Sequence, residues 1–193
     1  MTTMGVLLTR GQVFTIAHLG LVKLILQEND YACIVIGSAD KKGTLRNPLD
    51  IDVRMLLVKG ALSDLGKDKD RVSVFGLNDW LNENNKDNLK QWGHYLYYNI
   101  VGNTSHKRFS LYYSDGEDIL NSWFDDEVRP YITYVCNDRK ELFDGISATK
   151  VRELLVEGKE DEAKEFIPHG EWLLIPGLTK ALKQVYERND DRE

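Results

Sequence analysis

The sequence predicts an α/β fold: a mostly parallel sheet of about five strands with helices on both faces. Three observations carry that expectation. Short apolar runs of buried-strand length, such as Val6-Leu7-Leu8 and residues 31–37, punctuate the chain. Between them apolar residues recur at helical spacing, as in Leu19, Val22, Ile25 and Leu26. The order strand, helix, strand, helix, strand over residues 6–77 is that of βαβ units with right-handed crossovers.

The elements follow in order. The run at 6–8 is the first strand, and the helix after it starts near Thr15. Residues 31–37, β-branched and apolar, form a central strand. A polar loop at 38–48 leads to an amphipathic helix at 52–65 with Val53, Leu56, Leu57 and Leu62 inward. Residues 71–77 make a third strand. Residues 88–98 carry helical character, and 97–101 read as a fourth strand ending at Gly102-Asn103. In the mixed stretch 105–124, residues 117–124 are the best helical piece, and 131–136 form the fifth strand. Ser147 is the N-cap of a helix with Val151, Leu154 and Leu155 inward, and shorter helices follow at 160–166 and 178–186. Residues 1–186 are expected to be one domain and 187–193 a frayed polar tail.

A chain of 193 residues is long enough for one full-sized core. Its net charge of −6 argues against non-specific nucleic-acid binding, so a bound polyanion needs a local basic cluster. Cys33 and Cys136, both in apolar runs, are expected to be buried strand residues rather than a disulfide or metal pair. No signal peptide or membrane-length apolar stretch is legible, so the cytoplasm is expected and a membrane is not. Oligomeric state is left open, a homo-oligomer included. The four histidines fit no zinc spacing.

The segments 9–18, 37–48 and 78–92 each follow a predicted strand, where parallel sheets bind ligands. Thr15 and His18 fall where strand passes to helix, a place whose free amides and dipole attract phosphate. His18 can donate to developing negative charge there; its alternative is a helix-capping or core histidine. Arg46, in the second loop, can fork onto phosphate oxygens, or lie in solvent. Arg54 is expected to make a structural helix-to-loop pair. Ser147 and Thr149 hydroxyls with one helix start can wrap a triphosphate, and Arg152 lies one turn on. A ring can stack on Trp92 or Trp80 beside Asp79, although Trp92 on an amphipathic helix also suits a core.

These motifs carry a resemblance. Arg10-x-Gln12-x-x-Thr15-x-x-His18 is similar to the (His/Thr)-x-Gly-His signature of the nucleotidyltransferase superfamily. It is nearest the nicotinamide mononucleotide adenylyltransferases of archaea and of bacterial Nudix fusions. Thr9 and Ala17 depart from that pattern, standing where the family has glycines. Gly37-Ser38-Ala39 with Leu45-Arg46-Asn47-Pro48 resembles a second family segment, and Ile146-Ser147-Ala148-Thr149-Lys150-Val151-Arg152 a third. The resemblance implies a Rossmann-like nucleotidyltransferase fold and adenylyl transfer from ATP, with Mg²⁺, to nicotinamide mononucleotide, giving NAD and pyrophosphate. It implies Thr15, His18 and Arg152 around the triphosphate, with Arg10 and Arg46 on phosphates. It adds Gln12, Gly37, Ser38, Ile146, Ser147 and Thr149 as further nucleotide contacts, Asp79 and Trp92 near the nicotinamide ring, and Gly102 and Asn103 on the adenosine side. Magnesium would be held mainly by phosphate oxygens, and no protein metal ligand is named. The other readings are a sister transferase acting on nicotinate mononucleotide, pantetheine phosphate or FMN, and a non-catalytic NAD or nucleotide sensor.

Overall fold

The computed structural model describes residues 2–79, 89–113, 122–137 and 146–190. Five strands make one sheet: β1 (Met4–Thr9), β2 (Tyr31–Ile36), β3 (Val72–Gly76), β4 (Phe109–Tyr113) and β5 (Ile132–Cys136). Their order is β3-β2-β1-β4-β5, every neighbouring pair is parallel, and β1 pairs with β2 from Met4↔Tyr31 to Thr9↔Ile36. The connections are α1 (Ile16–Glu28), α2 (Ile51–Ser63) and α3 (Leu89–Thr104); α4 (Ala148–Val156), α5 (Glu160–Lys164) and α6 (Ile175–Asp190) follow β5.

Strand alternation divides the core in two. Val6, Cys33, Val35, Phe109 and Leu111 face one layer, with Leu96, Tyr97 and Ile100 of α3. Leu7, Ile34, Ile36 and Tyr112 face the other, with Val22 and Ile25 of α1 and Val58 and Ala61 of α2. The central strands β2, β1 and β4 are therefore buried on both faces, as a parallel sheet requires, while the edge strands β3 and β5 are only partly covered. A third apolar cluster joins Leu57 of α2 to Val151 and Leu155 of α4 and Leu178 and Leu182 of α6, and it includes Val13 and Leu49 from the strand-end loops. That cluster brings α4 to the carboxyl edge of the sheet.

Several expectations are corrected. Residues 97–101 are the last turns of α3, not a strand. Gly93, Leu96, Tyr97 and Ile100 are its buried residues, a spacing of three and four that marks one helix face. A Cβ at Gly93 would collide with the Trp123 carbonyl, so glycine lets the 122–124 segment press onto the helix. The fourth strand is Phe109–Tyr113, inside the stretch read as mixed. Leu56 is exposed on α2 while Arg54 and Val58 turn inward. Cys33 is buried, but Cys136 is exposed at the end of edge strand β5. The helix expected at 178–186 runs from Ile175 to Asp190 as α6. Of the helical piece expected at 117–124, residues 117–121 lie outside the described residues. Among the described residues, no helix is long and apolar enough to cross a membrane.

Candidate functional site

The strand order reverses between β1 and β4, and ligands of such sheets bind at that reversal, beyond the carboxyl ends. A pocket of about 470 Å³ opens there, between the end of β1, the start of α1, the Arg46 loop and the start of α4. Its polar lining includes Arg10, His18, Arg46 and Arg152, and no acidic residue is among its described lining residues. In a chain of net charge −6, this is the local basic cluster that a polyanion needs.

His18 sits in the first turn of α1. Its Nδ1 accepts the Thr15 backbone N–H at 3.1 Å and lies 2.9 Å from the Thr15 hydroxyl. An Nδ1 that accepts an amide hydrogen is unprotonated, so in the neutral ring Nε2 carries the hydrogen and His18 presents an N–H donor. Phe14 stacks on the imidazole at 5.0 Å and fixes its plane. Thr15 itself is fully buried as the N-cap, so its role in the structure is to orient His18. His18 thus both caps the start of α1 and lines the pocket.

Arg152 enters from α4 with only 7% of its surface exposed. Its Nη2 donates to the Thr149 hydroxyl at 3.2 Å, while its buried Nε has no partner among the described residues. A buried donor left unpaired is costly and uncommon, and points to an acceptor supplied by a ligand. Ser147 caps α4, its hydroxyl accepting the Lys150 N–H at 3.1 Å.

Gln12 is 3% exposed and used at both ends: Oε1 accepts the Leu49 N–H at 2.9 Å and Nε2 donates to Asn47 at 3.4 Å. It therefore ties the loop after β1 to the loop that carries Arg46. Gly11, at φ +58, makes the left-handed bend before it, a conformation that favours glycine.

Arg54 lies fully buried behind both loops. Its guanidinium donates to the carbonyls of Arg10 (3.0 Å), Gly37 (2.9 Å), Ser38 (2.9 Å) and Asp50 (3.3 Å). Burial lowers its pKa, and the Asp50, Asp79 and Asp40 carboxylates oppose that, so an arginine remains charged. Ser38, held at φ +50, donates to Asp79 at 3.1 Å, and the Asp79 N–H donates to Asp40 at 2.8 Å. An acidic corner at the ends of β2 and β3 thus adjoins the basic pocket.

No protein-family model matches the chain. Two curated relatives, the nicotinamide-nucleotide adenylyltransferases of Saccharolobus solfataricus and Ignicoccus hospitalis, are 30% and 39% identical to it over 87 and 72 residues. Those stretches are 45% and 37% of this chain and 47% and 42% of the relatives, so the match spans less than half of each relative's length. Among solved structures, it resembles a bifunctional NMN adenylyltransferase/ADP ribose pyrophosphatase from Francisella tularensis, complexed with AMP and a Mn ion. The TM-score is 0.78 at 18% identity, over 98% of this chain and 53% of that one. The chain has the nucleotidyltransferase fold. The resemblance read from the motifs is also the one these comparisons find.

Within the nucleotidyltransferase fold, the structure gathers Arg10, Gln12, His18, Arg46, Ile146, Ser147, Thr149 and Arg152 around one pocket, with Thr15 beneath it. Gly37, Ser38 and Asp79 lie one strand further along the same edge. Trp92 packs on the core beside Tyr95 and Trp123, at 5.7 and 6.3 Å between rings, and Trp80 lies outside the described residues. Gly102 and Asn103 are not brought to the site. They are exposed on the last turn of α3, which leads into the start of β4 at the amino edge of the sheet. Nearby His106 meets Thr2 and Tyr31, also at that edge. Asn47 and Asp40 were not singled out by the sequence; Asn47 lies within the Arg46-Asn47-Pro48 segment, but its bond to Gln12 is a contact across 35 residues.

Proposed function

We propose that the chain transfers the adenylyl group of ATP to nicotinamide mononucleotide, giving NAD and pyrophosphate. The observation that carries this reading is the buried, half-satisfied Arg152 in a pocket of three arginines, one histidine donor and no described acid. The similarity to adenylyltransferases supports the same activity.

In this reading a 5′-phosphate oxygen of the mononucleotide attacks the α-phosphorus of ATP in line. The bond from that phosphorus to the bridging oxygen of the β-phosphate breaks, and pyrophosphate leaves with the electron pair. No protein nucleophile is required, because positioning and charge stabilisation supply the catalysis. His18 Nε2–H and Arg152 meet the negative charge that grows on the triphosphate. Arg10 and Arg46 hold phosphates of either substrate, and Ser147 and Thr149 add hydroxyl donors. Among the described residues, no group of three or more His, Cys, Asp and Glu could hold a metal ion. The divalent cation, taken as Mg²⁺, is expected to arrive on the ATP phosphates as part of that substrate.

The acceptor ring is assigned to the corner of Ser38 and Asp79. A pyridinium cation suits that corner, and the extra carboxylate of nicotinate mononucleotide faces the Asp79 and Asp40 charges. The reading places the chain in the cytoplasm with its nucleotide substrates. The test is to incubate the protein with ATP, Mg²⁺ and a panel of acceptors, namely nicotinamide and nicotinate mononucleotides, pantetheine phosphate and FMN, and to follow pyrophosphate. The highest kcat/KM is expected for nicotinamide mononucleotide. A higher value for another acceptor reassigns the enzyme, and ATP binding without turnover on any acceptor makes the chain a nucleotide sensor.

A further inference from the structure

We infer that Arg54 is a positioning residue that sets the two halves of the cleft relative to each other. The inference rests on the adenylyl-transfer reading. One guanidinium bonds to the backbone of Arg10 in the basic pocket and to the backbone of Gly37 and Ser38 in the acidic corner. A fourth bond, from Nε to the Asp50 carbonyl, anchors it to the first turn of its own helix α2. The side chain is wholly buried and none of its bonds named here goes to a carboxylate. A buried ion of this kind is usually bonded to a partner charge; here four carbonyl dipoles take the hydrogen bonds, with the Asp50, Asp79 and Asp40 charges nearby.

The consequence is geometric. In-line transfer needs the attacking phosphate and the α-phosphorus in register, and those groups belong to different substrates. The backbone of Arg10 aims one phosphate contact, and the strained turn at Ser38 aims its hydroxyl at Asp79 beside the acceptor. Arg54 touches neither substrate. It spans β1 and β2 at their carboxyl ends, so a shift in its fork moves one half of the cleft against the other. Lysine keeps the charge but cannot make the divergent bonds of a planar fork.

Arg54→Lys and Arg54→Ala variants test this, with steady-state kinetics on ATP and nicotinamide mononucleotide, thermal unfolding, and calorimetric titration of pyrophosphate. Arg54→Lys is expected to stay folded at the assay temperature and to lose about 10²-fold in kcat, the scale of a 1 Å misplacement, with KM little changed. Added guanidinium should restore part of the kcat of Arg54→Ala, while urea, equally planar but neutral, should not. A merely structural clasp would lower the melting temperature and leave kcat intact below it. Kcat within twofold of wild type in folded Arg54→Lys overturns the inference, whether or not Arg54→Ala folds. If the wild-type chain neither binds pyrophosphate nor turns over, the functional reading fails and this inference fails with it.

Discussion

Among the described residues, one arginine and one glutamate, Arg54 and Glu171, are completely buried, and they are treated in opposite ways. Arg54, under the strand-end loops, donates to four backbone carbonyls. Glu171, in the 3₁₀ turn His169–Leu174, has neither carboxyl oxygen bonded to any described residue. Gly60 and Gly170 bring the backbones of α2 and this turn so close that a Cβ on either would clash. Burial, with the Asp64 charge adding to it, pushes Glu171 up to about 9, so it is a neutral acid at pH 7. The difference teaches where charge is useful. At the site a buried cation is solvated by dipoles and kept; at the packing corner a buried carboxyl is unsolvated and keeps its proton. Charges at the strand ends should therefore register in turnover, and Glu171 only in stability.

The largest effect expected is at His18. Its ring is oriented by Thr15 and Phe14, so His18→Ala removes a donor aimed into the pocket without opening the core. Loss of a donor to transition-state charge costs about 2.7–4 kcal/mol, roughly 10²–10³ in kcat, with KM little altered. Near-normal turnover in that variant would reduce His18 to a helix cap.

Next come the pocket arginines. Lysine at Arg152 should cost about 1.5–3 kcal/mol in kcat/KM, the worth of a hydrogen bond to a charged group. Arg152 is buried and reaches Thr149, while Arg46 is exposed, so Arg46→Lys should cost less. Equal kinetics for Arg152→Lys and wild type would remove Arg152 from the site, and a larger loss at Arg46 would reverse the ranking.

The smallest effect on turnover belongs to the other region, where the change is in stability alone. Glu171 is protonated in the folded chain up to about 9, whereas its unfolded value is near 4.5. Between those values the unfolded state has released the proton and the folded state has not. Its contribution is therefore complete below about pH 4.5 and is lost as pH rises toward 9. Glu171→Gln cannot ionise, so urea unfolding from pH 5 to 8 should show a flatter loss of stability than wild type, with kcat unchanged. Parallel pH profiles for the two proteins would show that Glu171 does not remain protonated.

The legible parts of the fold were those with local signals. β1, α1, β2, α2 and β3 announced themselves because short apolar runs alternate with helical spacing. Residues 97–101 misled because a five-residue run rich in Tyr, Ile and Val suits a strand, and only its continuation back to Gly93 shows a helix face. Phe109–Tyr113 was hidden by its short length and by Ser110 within it. Cys136 follows the strand pattern, but an edge strand leaves its end open. At the site, His18, Arg46 and Arg152 could be picked out because phosphate chemistry calls for those residue types at helix starts and loops. What Gln12 and Arg54 bond could not be, since their partners stand up to 37 and 44 residues away in sequence. Gly102 and Asn103 do not line the pocket, because the helix that replaces their expected strand carries them to the opposite edge.

The central claim, that the basic pocket and the acidic corner together join two nucleotides, is tested most directly by product stoichiometry. ATP, Mg²⁺ and nicotinamide mononucleotide are incubated with the wild-type chain, and NAD and pyrophosphate are quantified in the same sample over time. The account predicts one NAD for each pyrophosphate, with both rates falling together in His18→Ala. Pyrophosphate without NAD, or binding of ATP with neither product, would contradict it.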